Sequence, residues 1–144
     1  MILQKNTANR LGIFVFYDKD GIADEYNFYF IEELKKQVSR LLVICNGDVE
    51  EEAGKRFSGI ADEVMMRGNE GFDITAYHLG LKKYGYNRDG KFDEVIICNS
   101  TMFGPVYPFQ EMFEKMAVRD LDFWGITNFH EVPFDPFGTV KYGI

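Results

Sequence analysis

Apolar and polar positions follow two alternating patterns along the chain. Leu11-Gly12-Ile13-Phe14-Val15-Phe16-Tyr17 is an unbroken apolar run rich in aromatic and β-branched residues, as in a strand buried on both faces. Asp18-Lys19-Asp20-Gly21 ends it with turn chemistry. A helix is predicted next, with Asp24 as N-cap and Phe30, Ile31, Leu34 and Val38 along one face. Leu41 to Cys45 is a second buried strand, closed by Asn46-Gly47, and Val49 to Phe57 a weaker helix with Gly54 inside it. Glu63 to Met66 is a short third strand. Gly68-Asn69-Glu70-Gly71 opens a helix with Asp73 as its expected N-cap, Ile74, Tyr77, Leu81 and Tyr84 as its core face, and Gly85 just past its end. Asp93 to Cys98 is a fourth strand. A helix starting at Pro108 buries Phe109, Met112, Phe113 and Met116, and Phe123 to Ile126 is expected to be a fifth strand. Residues 127–144 show neither period.

Strands alternating with helices predict an α/β fold, a mostly parallel sheet with helices on both faces. The expected strand order is 3-2-1-4, with the fifth strand beyond. That order places strand 1 between Cys45 and Cys98. Two strand spacings amount to ~9.6 Å, beyond the ~6.8 Å that a disulfide spans between Cα atoms, so both thiols are expected to be free. The α/β unit is expected over residues 1–126, with 127–144 as an irregular tail.

Composition narrows the function. The 144 residues carry a net charge of −7 and a pI near 4.8, which argues against a nucleic-acid backbone binder. No apolar run approaches the ~20 residues of a membrane span, and the first residues resemble neither a signal nor a transit peptide. His78 and His130 stand far apart, and no His, Cys or carboxylate spacing matches a metal site. GxSxG, P-loop and GxGxxG motifs are absent.

Ligands of parallel α/β sheets bind beyond the carboxyl ends of the strands. That rule selects Tyr17-Asp18, Asn46-Gly47, Arg67-Gly68-Asn69 and Asn99-Ser100-Thr101. Asn46-Gly47 suits a plain turn, and Asn46 equally offers amide donors and a carbonyl to a nucleotide base. Tyr17 suits stacking on a base or sugar as well as capping the core. Gly71 and Asp73 suit a turn and cap, while a helix N-terminus behind Gly71 also favours a diphosphate. Arg67 suits a phosphate partner or a solvated surface charge. Asn99-Ser100-Thr101, expected at the sheet centre, suits a ligand-facing site or local backbone capping.

Four segments together resemble the rhamnan synthesis F family of bacterial surface-polysaccharide assembly. They are residues 13–21, Ile13-Phe14-Val15-Phe16-Tyr17-Asp18-Lys19-Asp20-Gly21; residues 69–77, Asn69-Glu70-Gly71-Phe72-Asp73-Ile74-Thr75-Ala76-Tyr77; residues 98–105, Cys98-Asn99-Ser100-Thr101-Met102-Phe103-Gly104-Pro105; and residues 122–127, Asp122-Phe123-Trp124-Gly125-Ile126-Thr127. The order is also similar to the Rossmann-like, nucleotide-binding half of a GT-A glycosyltransferase, with Asn69, Gly71 and Ala76 at its Asn-x-Gly and Ala places. The resemblance implies a nucleotide-sugar donor, dTDP-rhamnose or a UDP-sugar, and a polysaccharide or lipid-linked glycan acceptor. It implies a cytoplasmic location or one peripheral to the inner membrane face. Its usual Asp-x-Asp, which holds Mg or Mn on the donor diphosphate, is replaced here by Asn99-Ser100-Thr101, which puts the cation in doubt. Little chain follows Trp124-Gly125 to build an acceptor half, so a donor-binding part inactive alone is expected, with self-association through the aromatic tail. No catalytic base is assigned; Asp122 and His130 are the groups near that end. Two other classes stay open: a non-catalytic nucleotide or nucleotide-sugar module, and a flavodoxin-like interaction domain.

Overall fold

The computed structural model describes residues 8–126. Its elements run β1 (Arg10–Phe16), α1 (Glu25–Lys35), β2 (Arg40–Asn46), α2 (Glu51–Ile60), β3 (Glu63–Arg67), α3 (Phe72–Lys83), β4 (Glu94–Asn99) and α4 (Phe109–Ala117). The four strands form one sheet in the order β3-β2-β1-β4, with every pair parallel. Their order and direction match the sequence expectation.

The alternation of side chains along β1 and β2 divides the core. Phe14, Phe16, Leu41, Val43 and Cys45 face one side, where Ile31 and Leu34 of α1, Phe57 of α2 and Phe109 and Phe113 of α4 cover them. Leu11, Ile13, Val15, Leu42 and Ile44 face the other, under Ala76 of α3 and Phe92. β1 is buried along its whole length, as its unbroken apolar run requires. Cys45 and Cys98 are free and buried, and they pair in register with Phe16 and Phe14 of the intervening β1.

Several expectations are corrected. Phe123–Ile126 forms no strand. Trp124 instead packs edge-on against Phe113, with ring centroids 5.6 Å apart, and its indole N–H donates to Glu94 at 2.7 Å. β4 is therefore an edge of the described sheet, not its centre. Ile74 is 77% exposed. Tyr77, Leu81 and Tyr84 pack against the core as expected, but the fully buried positions of α3 are Ala76 and Gly80, because Gly80 lets the helix approach Ile13 and Ile44 closely: a Cβ there would meet each at 3.1 Å. α2 starts and ends later than its apolar spacing suggested. The N-cap of α3 is Gly71 rather than Asp73. Gly71 has a φ of 72°, and a Cβ at this position would strike the Thr75 hydroxyl at 2.0 Å, so only glycine fits the turn. The tail 127–144, with His130, lies outside the described residues.

Candidate functional site

The carboxyl ends of the parallel strands bring Tyr17, Asn46, Arg67 and Asn99 to one edge of the fold. The Gly47 N–H donates to the Arg67 carbonyl at 2.7 Å, tying the ends of β2 and β3 together. Side chains reinforce this link. Arg67 Nη1 donates to Asn46 Oδ1 at 2.5 Å, and Nη2 to the Glu70 carbonyl. A guanidinium can only donate, so it fixes the Asn46 amide with Oδ1 toward it and Nδ2 away. That nitrogen is buried and has no acceptor among the described residues. The ring of Tyr17 stands beside the turn at Gly47, where a Cβ would lie 3.8 Å from it, and is 47% exposed.

The third and fourth segments meet through α3. Asn99 Nδ2 donates to Asp73 Oδ2 at 2.8 Å. Asn99 Oδ1 accepts from the backbone N–H and the hydroxyl of Thr101, at 3.2 and 2.6 Å. Asp73 thus anchors the first turn of α3 onto the end of β4. Burial, with the Asp73 carboxylate and Cys98 nearby, raises the Tyr77 phenol well above its ordinary value, keeping it protonated.

Three predicted residues have clear structural duties. The Asp18 carboxylate accepts the N–H groups of Asp20 and Ile22 at 2.9 and 3.0 Å, closing the turn after β1. The Ile22 and Asp20 bonds, in that order, hold its carboxyl below the usual range. Ser100 joins the ends of β1 and β4: Tyr17 N–H donates to its hydroxyl at 3.3 Å, and that hydroxyl lies 3.4 Å from the Tyr17 carbonyl. The Asn69 carbonyl accepts the Phe72 N–H at 3.2 Å, leading the chain into α3. Tyr26, not singled out from sequence, donates its hydroxyl to the Ser100 carbonyl at 3.1 Å. Its spacing from Tyr29, one helical turn on, was the available signal.

The donor set does not fit a divalent cation held by protein carboxylates. Asp73 is the carboxylate bonded to Asn99, and Asn99 Oδ1 already accepts two bonds. Among the described residues no three His, Cys, Asp or Glu side chains gather around a common point. An apolar hollow of about 680 Å³ lies elsewhere, lined by Phe30, Leu34, Ile96, Met112, Phe113 and Trp124, and none of Tyr17, Asn46, Asn69 or Asn99 borders it.

Sheet order and polar strand ends define a parallel α/β protein with a candidate ligand site at the carboxyl edge. The comparisons then give the family. A family model described as rhamnan synthesis protein F matches residues 41–143, well over half the chain, and the protein belongs to that family. Neither the curated proteins nor the solved structures gave a match. Among the described residues no helix is long and apolar enough to cross a membrane.

Proposed function

We propose that this chain is the donor-binding part of a glycosyltransferase in rhamnan or related surface-polysaccharide synthesis, with a nucleotide sugar as ligand. The family supports a part in rhamnan synthesis. The observation that carries the finer reading is the half-exposed Tyr17 ring standing beside Asn46-Gly47 at the carboxyl edge. Tyr17 offers a stacking face to the base, and Asn46 Nδ2 is a buried donor with no acceptor among the described residues. The amino end of α3, preceded by Gly71, faces the diphosphate. Arg67 holds Asn46 and the 68–71 turn in place, which is a positioning role. With Asn99-Ser100-Thr101 uncharged, donor binding proceeds without a cation held by protein carboxylates.

Amide-shift mapping with UDP and dTDP, with and without Mg, tests this. Expected shifts fall on Tyr17, Gly47, Arg67 to Gly71 and Asn99 to Thr101, and affinity changes less than about twofold on chelation of the metal. Asn46→Ala should weaken binding roughly three- to tenfold, the worth of one hydrogen bond. Shifts confined to the opposite edge, around Arg10, Ser39 and Glu94, would overturn the assignment. The uncharged Asn99-Ser100-Thr101 also favours a second reading, a module that binds nucleotide sugar without transferring it. Donor binding with no sugar transfer or donor hydrolysis in a longer chain would select that one.

A further inference from the structure

β4 has the sequence of an inner strand and the position of an outer one. Val95-Ile96-Ile97-Cys98 is an unbroken apolar run, the composition of a parallel strand with neighbours on both sides. Among the described residues, however, β4 pairs with β1 alone. The Ser100 N–H donates to the Val15 carbonyl, so the alternation along a parallel ladder turns the N–H and C=O groups of Val95 and Ile97 away from β1. An open edge is normally blunted by charge, proline or a covering segment, and between Glu94 and Asn99 this one carries neither charge nor proline. The apolar hollow of about 680 Å³ runs beside that edge: Val95, Ile96, Ile97 and Cys98 all line it, opposite Met112 and Trp124. The chain leaves the described residues at its rim. Gly125 and Ile126 both border the hollow, and Ile126 is 61% exposed.

We propose that the occupant of this hollow is residues 127–144 of the same chain, with Phe129, Phe134 and Phe137 filling it and residues 139–142 pairing along the open side of β4. The segment has the required chemistry. Its phenylalanines match an apolar hollow, and Thr139-Val140-Lys141-Tyr142 alternates polar and apolar side chains, the period of an extended strand with one covered face. It also has the reach. The 12 residues from 127 to 138 extend to roughly 40 Å, about twice the ~20 Å length of a six-residue strand, so pairing is open to them in either direction. The family match runs to residue 143, which places this segment in the same family unit as the sheet. A segment tethered at the rim meets the hollow at an effective concentration on the order of mM, and this favours it over a second copy. The inference is independent of what binds at the carboxyl edge.

The test is paramagnetic broadening in the full 144-residue chain, ¹⁵N-labelled and carrying a nitroxide at Tyr142→Cys. Mass measurement confirms a single label, since Cys45 and Cys98 are buried. The amides of Val95 and Ile97 and the Trp124 indole should broaden, while those of Val64 and Met65 on the opposite edge should not. A second sample mixes spin-labelled chains lacking ¹⁵N with ¹⁵N chains lacking the nitroxide, and there the same signals should stay sharp. Broadening in the mixed sample would assign the surface to a second copy and overturn the proposal, as would sharp β4 signals in both samples. Hydrogen exchange gives an independent reading. Val140→Pro removes a backbone donor without touching the described core, and it should speed exchange at Val95 and Ile97 roughly tenfold while leaving Phe14 and Val43 protected. Unchanged exchange at Val95 and Ile97 in that variant would overturn the pairing at residues 139–142.

Discussion

Two glycines show how a single side chain's surroundings decide the sign of a substitution. Gly80→Ala gains about 1 kcal/mol of helix propensity, but its new methyl group would sit 3.1 Å from Ile13 and from Ile44. Both of those residues are fully buried and have little room to move. Overpacking costs about 1–3 kcal/mol, so a net loss of about 1 kcal/mol is expected. Gly54 lies inside α2 with no atom within 4 Å of a would-be Cβ, so Gly54→Ala should stabilise by about 0.5–1 kcal/mol. Urea midpoints of the two variants should move in opposite directions. Asn46 belongs to the same scale: its place at a strand end was legible as chemistry, whereas the lock that Arg67 puts on its amide was not. That lock depends on β2 and β3 being neighbours, which local sequence does not state.

At the scale of elements, the turn before β3 carries a pH-sensitive tie. The Asp62 carboxylate accepts from Lys35 of α1 and from the Leu41 N–H at 2.7 Å. Burial alone would raise its pKa, but the Lys35 and Leu41 hydrogen bonds together outweigh it and leave the carboxyl below its ordinary 3.8. A depressed folded value stabilises the native state above the unfolded pKa, and this contribution is lost as pH falls through the folded one. Asp62→Asn should therefore lower stability at neutral pH and flatten the acid limb below about pH 4, as read from denaturant midpoints across that range. Element order and four strands were legible because strands buried on both faces and amphipathic helices have different periods. The ends were harder: Phe123-Trp124-Gly125-Ile126 is too short for its period to separate a strand from a packed segment. Ile74 misled because a small-residue contact, Ala76 and Gly80, set the rotation of α3.

The whole molecule accounts for the thiols. β1 separates Cys45 from Cys98, and burial pushes both thiols up to about 12. Neither should form an intramolecular disulfide, and neither should react with iodoacetamide at neutral pH until the chain unfolds. Mass spectrometry before and after denaturation checks this, and rapid labelling of the native protein would contradict it. The candidate site was legible at this scale for a topological reason, since polar strand ends in a parallel sheet must share one edge. The hydrogen bonds that commit Asp18 and Ser100 to closing turns and joining strands come from tertiary placement and could not be read in advance.

Trp124 is the chain's single tryptophan, and its place on Phe113 and Glu94 makes it an optical reporter of one seam. Glu94 also binds Arg10 through a 2.7 Å ion pair, with the Arg10 side chain only 5% exposed. Glu94→Gln keeps an oxygen for the indole but leaves the guanidinium without its counter-charge. Breaking a buried pair this way costs about 3–5 kcal/mol, so the variant should melt earlier while its native emission spectrum is preserved. Glu94→Leu removes both contacts, and its emission should shift to the red before any change in circular dichroism. Fluorescence lifetimes in the two variants would then separate loosening of residues 121–126 from loss of the fold, with no added label.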